Sequence, residues 1–411
     1  VRSKLDTTTS FIDLYTHTCG ESEVPYSYNL WAGISILAAA VADRVWYEKF
    51  PGKKLPPNLY VGLIGPSANG KGEAIDTAVR LTQQHSAINV YNGRATPQFL
   101  FQWMARSRNA EDGQRYDNNK VLVVHEELSE AIDRGDSADR FVKFMTRHYT
   151  SRPYLTVDGT ITRQLQGVTD PCLSWLFGSN LDWMLDVFPP SAISGGTWGR
   201  IVGVYQGYNL AYRKRKPSAP FDYDRVIDHL HMRLDELTAI EGPFWMTEHA
   251  EHIAEKWYTE REAPSDEALV PAWKRQDDLV LKLAMILSLS DSLDLKIGGH
   301  HMWRAQELSE VVMRKLGEIQ AAAATTPDTR GISFAKQVLK GAKRPVLHTE
   351  LLKKFYAKGL GGRDQLLNAV QTLMDSGEVL HRDSGRSRVY MWGGKRRMVR
   401  GKSEPEDESA E

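Results

Sequence analysis

The chain has 411 residues, enough for two or three domains at about 150 residues each. A hydrophobic share of 41% and a charged share of 25% exclude a disordered or fibrous chain. Lys plus Arg and Asp plus Glu both total 52, so net charge selects no partner, and the two cysteines, Cys19 and Cys172, allow neither a disulfide framework nor a Cys-based zinc site. A reducing, cytoplasmic setting is the expectation.

Residues 1–54 read as a helical N-terminal region, with helices over "SFIDLYTHTC" and "SYNLWAGISILAAAVADRVWY". The polar, Thr-rich start does not read as a signal peptide. The apolar run from Leu30 to Ala42 spans 13 residues. A bilayer needs roughly 20, so this run predicts a buried helix and no membrane partner. Pro56-Pro57 breaks the chain. "NLYVGLIG" then reads as an apolar strand that feeds a glycine-rich loop, followed by a helix over "GEAIDTAVRLTQQH".

That loop, Gly65-Pro66-Ser67-Ala68-Asn69-Gly70-Lys71-Gly72-Glu73, fits the phosphate-binding pattern G-x-x-x-x-G-K-[ST] at every position but the last. In such a loop the backbone N–H groups face phosphate oxygens and the helix start adds its positive end. Lys71 is placed to reach the outer phosphates of ATP. Gly72 stands where a hydroxyl would ligate Mg²⁺. Glu73 follows, and a carboxylate there must face away from the phosphates or meet the metal through water.

A helix over "TPQFLFQWMARSRN" follows, with Thr96 as its N-cap and Pro97 in its first turn. Further buried strands are expected at Val121–Val124, near Leu173–Phe177 and after Arg200. Short apolar strands alternating with helices predict an α/β domain with a mostly parallel sheet over residues 55–215.

"VLVVHEE" offers the acidic pair of a nucleotide hydrolase. In one register His125 takes the place of the metal-binding aspartate and Glu126 is the base. In the other, Glu126 holds Mg²⁺ and Glu127 polarises the attacking water. Ser179 or Asn180, after the third strand, is a polar sensor of the attacking water or γ-phosphate, or a helix cap. Arg200, after a Gly run, is a finger reaching a neighbouring subunit's site, or a surface arginine. Arg275, in "AWKRQDDLVLKLAM", is a second arginine sensor.

Residues 216–326 read as a helical lid, preceded by the basic break "YRKRKPSAP" and closed by the linker "TTPDTRG". His229, His231, His249, His252, His300 and His301 read as solvated or core histidines. Residues 332–395 show three helices and then a hairpin around Asp383–Gly385, the pattern of a winged helix. Arg363 and Gln365 open its third helix, where base edges are reached. Lys353, Lys354 and Lys358 lie on or after the second, and Arg382, Arg386 and Arg388 decorate the hairpin. With Lys395–Arg400 these cations form a phosphate footprint, although such modules also bind proteins. Residues 396–411 read as a disordered charged tail.

The order "VPYSYNLWAGISILAAAVADRVW", "LPPNLYVGLIGPSANGKGEAI", "RATPQFL", "VLVVHEEL", "LSWLFGSN", "ISGGTWGRIV" and "LVLKLAMILSL" resembles the P-loop helicase/ATPase domains of phage and plasmid primase–helicases over roughly residues 10–320. The resemblance implies an AAA+-like or superfamily III-like α/β P-loop NTPase core. It implies a homo-oligomeric ring, such as a hexamer, acting with other replication proteins on single-stranded or forked DNA. By that match Lys71 is the Walker A lysine, Glu126 the Walker B glutamate, Asn180 the sensor and Arg200 the finger. Gly72 and His125 depart from the pattern at the metal, which favours a rival reading: a nucleotide-dependent DNA adaptor or helicase loader that hydrolyses little ATP. The GKG of the loop also resembles adenylate-kinase loops, but a small-molecule kinase has no use for a winged helix. No primase-type metal site is evident, so no primase activity is expected.

Overall fold

The computed structural model describes residues 10–20, 22–94, 96–109, 115–132, 136–151, 156–160, 163–188, 197–208, 223–324, 327–342, 344–357, 360, 362–384 and 387–393. The chain divides into two compact units, Val1–Gln320 and Ala321–Glu411. The N-terminal, core and lid regions expected from the sequence therefore fold as one unit.

In chain order the first unit begins with helices α1 (Phe11–Cys19) and α2 (Tyr26–Val41). Strands β1 (Val45–Phe50), β2 (Lys53–Leu55) and β3 (Tyr60–Ile64) follow, then α3 (Lys71–Gln83), β4 (Val90–Asn92) and α4 (Pro97–Met104). A hairpin of β5 (Ser107–Asn109) and β6 (Arg115–Asp117) leads into β7 (Lys120–His125), α5 (Leu128–Ala131) and α6 (Asp136–His148). A second hairpin, β8 (Thr156–Thr160) and β9 (Arg163–Val168), precedes β10 (Cys172–Ser179) and α7 (Leu181–Val187). After β11 (Ile201–Tyr205) come α8 (Tyr223–Thr238), β12 (Gly242–Met246), α9 (Glu248–Glu260), α10 (Val270–Asp291), β13 (Lys296–Ile297) and α11 (Gly299–Ala324).

The core sheet is all parallel, in the order β11-β3-β10-β7-β4. Four of its strands, β3, β7, β10 and β11, are buried and largely apolar runs, as expected of a sheet covered on both faces, while the edge strand β4 is short and partly exposed. On one face Val61, Leu63, Val124 and Leu176 pack against α2 and α3. On the other, Tyr60, Trp175 and Phe177 stack with Phe141 of α6 and Tyr149. Helix α2 is apolar on every side, which suits burial all round rather than one face on solvent. Leu30, Trp31, Ile34, Ile36 and Leu37 are all buried, and each such large side chain stabilises by roughly 1.5–3 kcal/mol.

Strand β4, helix α6 and the hairpins β5–β6 and β8–β9 lie where no such element was expected, and two further features depart from the sequence reading. The second helix was expected to run to Tyr47 but ends at Val41. Ala42 takes a positive φ of 49°, and the β-branched and aromatic run from Val45 forms β1 instead. The segment 216–326, expected to be helical, supplies β12 and β13, which extend β1 in a second sheet of order β13-β12-β1-β2. Pairing partners two hundred residues away decide both cases, and helix propensity does not.

The second unit holds α12 (Pro327–Gly341), β14 (Val346–Leu347), α13 (His348–Ala357), α14 (Arg363–Asp375), β15 (Val379–Ser384) and β16 (Ser387–Trp392). The three strands form an antiparallel sheet, β14-β16-β15. Leu339, Leu351, Phe355, Leu366, Val370 and Tyr390 fill its core. Helix α12 takes up Pro327–Gly331 of the expected linker, with Pro327 at the first helical position where its missing N–H costs nothing. The basic break after Tyr212, Lys358, Arg386, Lys395–Arg400 and the charged tail lie outside the described residues.

Candidate nucleotide site

Because the core sheet is parallel, the C-terminal ends of β3, β7, β10 and β4 share one edge. That edge is where open α/β sheets bind ligands. The glycine-rich loop leaves it after Ile64 and turns into α3. Gly70 is the N-cap of α3 with φ 81°, a conformation glycine adopts without strain. No N-cap side chain bonds the first turn of this helix, whose N–H groups have no intrahelical partner. Glu73, in that turn, is exposed.

Lys71 is buried, and its Nζ donates to the carbonyls of Gly65 at 2.9 Å and Pro66 at 2.7 Å. Burial lowers its pKa from the ordinary lysine value, and the negative charge of Glu127 opposes that shift. Gly72 opens onto the other carboxylate: a Cβ added there would lie 4.0 Å from Glu126 Oε2 and meet nothing closer. Glu126 thus faces the position where the loop pattern has a hydroxyl, while Glu127 lies within electrostatic reach of Lys71. A cleft of about 330 Å³ continues past both carboxylates to Asn92 and Arg94 at the end of β4.

His125 turns the other way. Its Nδ1 accepts a 3.2 Å hydrogen bond from Trp175 Nε1, and its ring packs against Phe141. Burial pushes its pKa down to about 4, so the imidazole is neutral at physiological pH. It belongs to the aromatic core beneath the sheet and does not face the loop. Asn180 caps α7: its Oδ1 accepts from Trp183 N at 2.8 Å, which leaves the amide Nδ2 as its donor. It stands one residue beyond Ser179, whose carbonyl accepts from Gly65 N at 3.1 Å, so sensor candidate and loop are joined through the backbone.

Arg200 and Arg275 lie together at the opposite edge. Ile201 pairs with Tyr60, the first residue of β3, so Arg200 precedes the sheet by one residue. At about 3.3 Å per residue, it sits roughly 15 Å from its own loop. Its guanidinium faces the Tyr149 ring at 6.0 Å, and burial together with the Arg275 charge lowers its pKa. Arg275 Nη1 donates to Pro271 O at 2.8 Å. Arg275, expected as a second arginine sensor, therefore lies beside Arg200 and not beside the loop of its own chain.

The sequence reading missed the loop's braces. Tyr28 of α2 donates from its hydroxyl to Ile64 O at 2.8 Å. A Cβ on Gly65 would meet that hydroxyl at 2.3 Å and Gln206 O at 2.6 Å. Asn69 Nδ2 donates to Gly207 O at 2.9 Å. Only the loop's own glycines signalled a tight fit; nothing local marked Tyr28 or Gln206 as its neighbours.

In the second unit, Arg363 and Arg388 are exposed, and the charges of both bear on His348, so the start of α14 and the hairpin converge. Arg382 is exposed on the opposite face of the hairpin, as its pairing with Val389 requires. Lys353 and Lys354 are exposed on α13, with Lys354 paired to Glu350 at 3.3 Å. Gln365 Oε1 accepts from Gly362 N at 2.9 Å, so this side chain caps its helix.

Among the expected core or solvated histidines, His300 and His301 both meet Asp291. Gly298 N donates to His301 Nδ1 at 3.0 Å, which leaves Nε2 as the protonated nitrogen toward Asp291. That nitrogen is then a donor and no metal ligand.

No protein-family model matches the chain, and no curated protein matches it. No helix among the described residues is long and apolar enough to cross a membrane.

Proposed function

We propose that the chain is an oligomeric, ATP-dependent DNA motor or replication initiator of the phage or mobile-element type, with a P-loop core and a C-terminal winged helix. The observation that carries this reading is the uncapped start of α3, with Lys71 and the Glu126–Glu127 pair on the same sheet edge. Backbone N–H groups of the loop hold the phosphates of ATP, and Lys71 moves from two carbonyls to the outer phosphate oxygens.

Mg²⁺ bound with the nucleotide supplies charge neutralisation at the phosphates. Glu126 is the residue proposed to hold it, because a carboxylate oxygen suits this hard cation and faces the gap above Gly72. Glu127 then takes the role of base that orients the attacking water. Asn180 donates its Nδ2 to that water or to the γ-phosphate. Arg200, remote from its own loop, serves the site of a neighbouring copy.

Three helices and a three-stranded sheet in the second unit support the winged-helix reading, with Arg363 and Arg388 as the converging phosphate contacts. The absent hydroxyl at Gly72 favours a second reading: an adaptor that binds ATP to assemble on DNA and hydrolyses little.

Steady-state ATP hydrolysis with and without single-stranded and forked DNA separates the two. DNA-stimulated turnover that drops at least 100-fold in Glu127→Gln and in Glu126→Gln supports the motor. Tight Mg²⁺–ATP binding that changes the oligomeric state without turnover supports the adaptor. Absence of ATP binding sinks both.

A further inference from the structure

The second sheet carries a surface that the nucleotide site does not use. Strand pairing fixes which side chains share its faces. Val45, Tyr47, Leu55, Phe244, Met246 and Ile297 point inward and pack on the core. The alternate positions point outward. Trp46 pairs with Pro243, Trp245 with Lys296, Glu48 with Lys54 and Phe50 with Lys53.

The outer face therefore carries Trp46 with Lys54 and Trp245 with Lys296, and past a bulge between Glu48 and Phe50 the exposed Phe50 and Lys53 stand at its turn end. Trp245 is 55% exposed and Phe50 61%. Each ring has a lysine beside it: Lys54 Nζ lies 3.5 Å from the Trp46 ring centre, Lys296 5.2 Å from Trp245 and Lys53 5.8 Å from Phe50. Of the acidic residues among these pairs, Glu48 is occupied, accepting from Gly52 N at 2.7 Å in the turn.

A second, independent feature adjoins the face. A cavity of about 310 Å³ opens beside Trp46 and Lys54 and is bordered by Arg44 and Lys120. Asp170 and Glu241 also line it, and Lys120 is paired with Asp43. It has room for a nucleobase, cations for a phosphate and carboxylates for the amino or imino edge of a base.

We propose that this face binds single-stranded nucleic acid, with the aromatic rings as stacking platforms, Lys53, Lys54 and Lys296 on the phosphates, and one base in the cavity beside Trp46. Exposed bases stack on aromatic rings whatever their identity, and a positively charged track follows the backbone. Diagonal neighbours on a sheet face lie about 7–8 Å apart, a spacing that successive nucleotides of an extended strand can follow. A duplex, whose bases are already stacked and paired, gains nothing from the rings. The inference identifies a strand-binding surface for the motor reading above, but it does not rest on the loop, and ATP affinity tests that reading separately.

The test uses the full chain and the anisotropy of short labelled oligo(dT), oligo(U) and a duplex. Trp46→Ala with Trp245→Ala is expected to weaken binding of the preferred single strand by at least about 10-fold, within the range of one or two lost stacking platforms. Trp46→Phe with Trp245→Phe should retain most of it. Lys53→Ala, Lys54→Ala and Lys296→Ala together should reduce the slope of log affinity against log salt by about 2. Duplex binding and ATP affinity should not change in either set. Preference for oligo(dT) or oligo(U) names the strand, and either supports the platform.

If wild type binds neither oligonucleotide, or if the lysine variants keep its affinity and salt slope, the proposal is overturned. Those lysines are exposed, so the test stands even if the tryptophan variant fails to fold.

Discussion

Gly72 leaves the hydroxyl of the loop pattern absent, and a Cβ there would meet only Glu126 Oε2, at 4.0 Å. Three residue-scale outcomes follow from the loop. Lys71→Ala should weaken ATP binding about 10- to 100-fold, because charge-assisted hydrogen bonds to phosphate are worth about 1.5–3 kcal/mol; titration with a fluorescent ATP analogue reads it. Gly65→Ala should lower stability by about 1–3 kcal/mol, since its Cβ would collide with the Tyr28 hydroxyl and Gln206 O. Gly72→Ala, which meets only Glu126 at 4.0 Å, should leave the urea midpoint unchanged. His125 supplies a pH dependence. Its folded pKa of about 4 lies below the ordinary 6.5, so between these values the unfolded chain binds more protons. Stability is intact above about pH 6.5 and is lost as pH falls toward 4, by about 3 kcal/mol at most. His125→Phe should flatten that decline in urea titrations at pH 7 and pH 5, at a cost of about 1–2 kcal/mol at neutral pH for the orphaned Trp175 N–H. The loop, both glutamates and Asn180 were legible as residues because backbone chemistry restricts what can stand there. Which way His125 points was not, since a strand's two faces are told apart only by what packs on each.

At the scale of elements, four of the five core strands were legible because each is an apolar run bounded by turns; β4, the three residues Val90–Asn92 at the sheet edge, was not, because it is too short and too exposed to stand out. The helix after the loop and the capped start of α4 were equally clear. The second sheet was hidden: β1 looks like a continuation of α2, and β12 looks like a gap between helices. Their only reason to be strands is each other. The joints between elements are hidden for the same reason. Asn58, just before β3, donates to Tyr149 O at 2.9 Å and to Leu173 O at 2.8 Å. Lys282 of α10 in turn donates to Asn58 O and Oδ1, both at 2.8 Å, beneath the Tyr149 ring. Burial brings the Lys282 pKa down to about 8, and the negative charge of Asp278 opposes that shift. Asn58→Leu should cost about 3 kcal/mol, because it strips an oxygen from a buried ammonium and a donor from two carbonyls. Chemical denaturation checks it. A loss below about 1 kcal/mol would mean that water replaces the side chain.

For the whole molecule, the division at Gln320 predicts independence. A chain ending at residue 324, which keeps all of α11, should retain ATP affinity and the nucleotide-site stability. It should lose duplex affinity and much of the salt dependence that Arg363, Arg382 and Arg388 confer. The full chain should then unfold in two calorimetric transitions, and the truncated chain in one.

The order of the core sheet has its own consequence for how the chain is made. Strand β3, the base of the nucleotide loop, pairs on both sides with strands that come much later. Cys172, the first residue of its nearer partner, lies 108 positions after Ile64. At roughly 5–20 residues per second, a ribosome needs about 5–20 s to deliver it. For that interval the emerging chain carries an apolar strand and an apolar α2 with no sheet to receive them. The core sheet can therefore close only after most of the first unit has been made, so its folding is set by the late strands and not by the early apolar ones.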